Sequence, residues 1–156
     1  MDEIKKSFPK YIDKSIIPVW AKEQSFEVYR ACRSGKVDQL SFMNSFEENG
    51  FMVSDNVLED LGKYRASAYS LSTYTKIRDV KRFMTMTSDF GVPFIIAKGT
   101  TEPTYGVCIE TRFWKKQLGD KCKSSHVDWW LYEGATPWLA FKEVDYDENP
   151  GDTSSI

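Results

Sequence analysis

His126 is the only histidine in the chain, four residues after Cys122 and two before Asp128. A cysteine and a histidine at that spacing look like half of a finger-type zinc site, but zinc takes three or four protein ligands. Cys32 and Cys108 would have to complete the set from distant positions, so the sequence predicts no metal centre. A Cys–His nucleophilic pair meets the same objection. Cys108, inside the apolar stretch Val107-Cys108-Ile109, reads as a small core residue. The glycine patterns that cradle phosphates in P-loop and Rossmann proteins are absent. The aromatic segment Trp129-Trp130-Leu131-Tyr132, with Trp138 close behind, has the right side chains to stack a base or a sugar. A hairpin core uses the same residues. Strand alternation sets Trp129 and Trp130 on opposite faces, which predicts one in the core and the other along a cleft or interface.

The elements that must hold these residues can be read from periodicity. Residues 26–32 alternate around Phe26 and Val28, as a strand does. Asp38 can cap a helix carrying Leu40, Met43 and Phe46, with Gly50 just past its end, and a short helix follows Ser54-Asp55. Residues 66–72 read as a second strand, leading into a helix with Ile77, Val80, Phe83 and Met84 on one side. The apolar run 92–97 is a buried strand, and Gly99 to Gly106 turns the chain into Val107-Cys108-Ile109. A polar stretch precedes strands at 126–132 and 138–144. The reading is α+β, a single domain with helices in the N-terminal half packed on a β-rich C-terminal half. Residues 1–25 would form an N-terminal helical extension, interrupted at Pro18, 26–145 the domain, and 146–156 a loose acidic tail.

The 156 residues make one core of ordinary size. With 21 basic and 23 acidic residues, a general nucleic-acid binder is disfavoured, because such proteins carry a basic excess. The aromatic content is high, with 10 Phe, 8 Tyr and 5 Trp. An odd cysteine count without a secretory signal points to a reducing, cytoplasmic setting, and no apolar run approaches the roughly 18 residues of a membrane span.

Several scattered features fall into one order. Arg30 lies in the early strand, Tyr69-Ser70-Leu71-Ser72 lies before a helix, and His126-Val127-Asp128 opens a late aromatic strand. In this order the chain resembles the ADP-ribosyltransferase fold of the arginine–serine–glutamate class, over about residues 26–145. The resemblance implies an NAD-dependent mono-ADP-ribosyltransferase acting on a protein or nucleic-acid target, with NAD as substrate and no metal. Arg30 would grip the NAD phosphates, and Ser70 and Ser72 would brace the nicotinamide ribose, flanked by Tyr69 and Trp129. Asp128 would stand where the family has its catalytic glutamate, with His126 in place of the preceding acidic or amide residue. Aspartate is one methylene shorter, which matters because charge stabilisation of this kind depends on close placement. The competing expectation is a non-catalytic binding or inhibitor module that presents an exposed aromatic surface.

Overall fold

Alternation over 26–32 does produce a strand, β1 (Glu27–Cys32), with Val28 and Cys32 buried on one face and Ala31 on the other. The structure is a computed structural model that describes residues 6–48, 50, 59, 61–87 and 95–145. Five further strands follow: β2 (Leu71–Tyr74), β3 (Ile95–Thr100), β4 (Gly106–Glu110), β5 (His126–Leu131) and β6 (Lys142–Val144). All six pair antiparallel in one sheet, in the order β4-β5-β2-β1-β3-β6. Among the described residues, α1 (Ser45–Glu48), α2 (Ile77–Thr87) and α3 (Thr111–Gln117) accompany it. The architecture is α+β. No described helix is long and apolar enough to cross a membrane.

Both faces of the sheet are covered. On one, Val28, Leu71, Val127 and Trp129 meet Phe42 and Phe141 from connecting segments. On the other, Ala31, Tyr74 and Ile96 lie under Ile77 and Val80 of α2, whose i, i+3 spacing predicted that face. Further along the same face, Ile109 and Trp130 meet Trp114 of α3 and the packed N-terminal segment, including Ile16, Ile17 and Trp20. This double cover leaves neither adjacent tryptophan as an exposed anchor, while Trp129 borders a cavity, as expected of one of the pair. Trp129 and Trp130 are both 0% exposed.

Other expectations change for local reasons. Residues 62–69 form 3-10 helix rather than strand, with Ala66 and Ala68 buried, and the strand starts at Leu71. Asp38 does cap, accepting from the Ser41 N–H at 3.2 Å, but the turn it starts is 3-10 and ends at Phe42. That register buries Phe42 and leaves Leu40 exposed, where an α-helix was expected to bury Leu40. The polar stretch after β4 contains α3. Residues 6–25 hold one 3-10 turn, Lys14–Ile16, and bond to the edge of β4 through Lys22 and Cys108. The expected helix after Ser54-Asp55, Phe94 at the start of the apolar run, and the tail beyond residue 145 lie outside the described residues.

Candidate functional site

β5 sets His126 and Asp128 on the face turned toward α3, with Asp128 level with Ser72 of β2 and Ile109 of β4. Asp128 is 1% exposed. Burying a carboxylate is costly unless donors surround it, and here they do. Ser70 donates its hydroxyl to Oδ1 at 2.6 Å, and Thr111 donates to Oδ2 at 2.6 Å. The indole of Trp114 adds a third bond to Oδ2 at 3.0 Å. Thr111 has a single hydroxyl hydrogen and gives it to Asp128, so the contact between Thr111 and His126 requires His126 Nδ1–H as donor. That assigns a proton to Nδ1 of His126. Burial pushes the imidazole pKa below its ordinary value, and the pull of Asp128 in the other direction is smaller. Chemically, the group is a clamp that ties β5 to the start of β2 and to α3.

Arg30 is held on the other side. The Tyr29–Tyr74 and Ser72–Asp128 registers, with strand alternation, place Ser72, His126 and Asp128 on one face and Arg30 on the opposite one. Its guanidinium donates to three main-chain carbonyls: Ser41 at 2.9 Å, Ser72 at 2.8 Å and Met43 at 3.2 Å. Phe42 lies beneath it, 6.0 Å from ring centroid to Cζ. Arg30 therefore stitches the 3-10 turn to β2. Among the described residues no hydrogen bond or ion pair joins it to Asp128.

The residues expected to form one site are thus divided. Ser70, His126 and Asp128 share the clamp. Arg30, Ser70 and Ser72 border a cleft of about 170 Å3 where β1 and β2 part, with Arg33 and Glu48 on its rim, and Asp128 does not reach it. Tyr69 and Trp129 border a different and larger cavity.

That cavity measures about 500 Å3. Six rings form its wall: Tyr11, Phe42, Tyr69, Trp129, Tyr132 and Trp138. Asn44 and Glu47 secure one side through a reciprocal cap on α1, since Asn44 N–H donates to Glu47 at 3.1 Å and Glu47 N–H to Asn44 at 2.9 Å. The Asn44 amide also donates to the Tyr69 carbonyl at 3.0 Å and the Tyr11 hydroxyl at 3.2 Å. Burial and the neighbouring Glu47 carboxylate push the Tyr11 hydroxyl pKa up, against the Asn44 bond. Trp129 stacks on Phe141 with centroids 6.1 Å apart. Its indole Nε1 is buried and has no hydrogen-bond partner among the described residues.

Comparison with family models, curated proteins and solved structures returned no match. Function must therefore be argued from geometry. No group of three metal-ligating side chains occurs among the described residues. Cys32 and Cys108 are buried thiols whose pKa burial pushes up to about 11, the opposite of nucleophile activation. Sequence reading found Tyr69 and Trp129 but not Tyr11, Asn44, Glu47 or Thr111. The Asn-x-x-Glu cap at 44–47 was a legible signal, whereas the meeting of Tyr11 with Trp129 depends on the tertiary fold.

Proposed function

We propose that the protein is a non-catalytic binding module whose ligand occupies the aromatic cavity. One observation carries this reading: a cavity of about 500 Å3 is walled by six aromatic rings, with Asn44 and Glu47 fixed at one side by their reciprocal cap. Cavities of roughly 300–1,000 Å3, apolar with a few placed polar groups, are the usual form of a small-ligand site. ADP-ribosyl transfer from NAD, by contrast, requires the arginine and the acid to act on one substrate. Here Arg30 is engaged by carbonyls and Asp128 by Ser70, Thr111 and Trp114, on opposite faces of the sheet.

The test is a titration of 15N-labelled protein with small ring compounds that carry a carbonyl or ether oxygen. The indole N–H signals of Trp129 and Trp138, both residues of the cavity wall, should shift. The reading is overturned if millimolar fragments move neither signal. Millimolar NAD separates the alternatives in the same sample. A ligand that binds the folded state must raise the melting temperature, and the binding-module reading expects no rise with NAD.

A further inference from the structure

The charge of the cavity wall narrows the ligand further. We infer that the cavity takes an organic cation, an alkylated ammonium head. This rests on the binding-module reading above. Among the described residues that line it, Glu47 and Glu133 are the charged ones, and none is Lys, Arg or His, although the chain has 21 Lys and Arg. Neither carboxylate has an ion-pair partner among the described residues. The Glu47 carboxylate is held in place by the Asn44 N–H rather than by a cation.

The rings act in the same direction. An aromatic face carries the negative side of a quadrupole, and a cation over Trp or Tyr is attracted to it, more strongly once desolvated. Alkylation suits such a wall because it adds apolar surface to contact the rings while the positive charge stays. An anionic or phosphate-bearing ligand would meet two carboxylates and ring faces, with no counter-charge. A neutral ligand would forgo the attraction of both carboxylates and of the rings.

Three probes decide the matter, read by the Trp129 and Trp138 indole signals. They are choline, its neutral carbon isostere 3,3-dimethylbutan-1-ol, and a short peptide carrying trimethyllysine. Choline or the peptide should bind at least about tenfold more tightly than the neutral alcohol, the scale of one good cation–π contact together with a carboxylate. Binding of choline alone assigns a free small molecule, and binding of the peptide alone assigns a chain-borne head. Glu133→Gln should erase part of the preference. Glu47→Gln should do the same while keeping the α1 cap, because glutamine serves in that position too. Equal affinity for the neutral alcohol overturns the inference and leaves the cavity a ligand site. Signals that respond to ring fragments but to neither cation have the same consequence. Signals unmoved by every compound overturn both readings.

Discussion

Asp128 shows what a single residue can and cannot reveal in a sequence. Its position, two after the only histidine and at the head of an aromatic strand, marked it as chemically unusual, and it is the most heavily bonded buried acid described. The donors that explain it, Thr111 and Trp114, lie on a helix that the sequence did not announce. Replacing it should therefore register as lost stability. Asp128→Asn removes the charge and one acceptor oxygen, so an NH2 either faces the donor-only Trp114 indole or forces a hydroxyl to turn, at a cost of about 1–3 kcal/mol in urea melts. A change near zero would remove the clamp from the account. His126 adds a pH dependence with a definite sign. Its folded pKa lies below the unfolded value, so its contribution is complete above about pH 6.5 and is lost as pH falls through the folded pKa. Urea midpoints should drop on acidification from about pH 7 to about pH 5. His126→Asn keeps a donor for Thr111 and should flatten that part of the profile.

At the scale of elements, legibility followed the strength of local pattern. β1 and α2 were readable because alternation and 3.6-residue spacing hold over their length. α3 was not, since Thr111–Gln117 mixes charge and aromatics over only two turns and has no side-chain cap. Residues 66–69 misled because small and aromatic residues suit both strand and 3-10 turn, and only the burial of Ala66 against Trp114 and Trp130 decides. One tight contact between elements gives a sharp test. A Cβ at Gly106 would lie 2.1 Å from the Trp130 carbonyl oxygen, a backbone atom that cannot swing aside. Gly106→Ala should force β4 away from β5 and cost about 1–3 kcal/mol, the usual range for overpacking. A thermal melt unchanged from wild type would contradict the close approach.

For the whole molecule, the main misreading concerned cover. The sequence could not say that both faces of one sheet would be buried, because that depends on where Phe42, Phe141 and the N-terminal segment come to rest. The first twenty-odd residues read as an extension, yet Ile16, Ile17 and Trp20 cover Trp130 and Tyr11 lines the cavity. Removing the chain up to Ala21 would open that cluster to water. The melting temperature should fall by more than about 10 °C, given roughly 2–4 °C per kcal/mol for a domain of this size. A truncated protein that melts like the full chain would show the segment to be dispensable.

The cavity also has a history within each molecule. Its walls come from residues 9–11, 39–47, 69–71 and 129–138. Translation delivers about 5–20 residues per second, so the first three walls leave the ribosome on the order of seconds before the last. During that interval Tyr11, Phe42 and Tyr69 have no Trp129 or Trp138 to close upon, and they are the rings a holding chaperone would meet. On the proposed binding-module reading, no nascent chain could capture ligand until Trp138 had emerged. Occupancy of the cavity would then report a chain whose synthesis has passed that residue and whose distant segments have found one another.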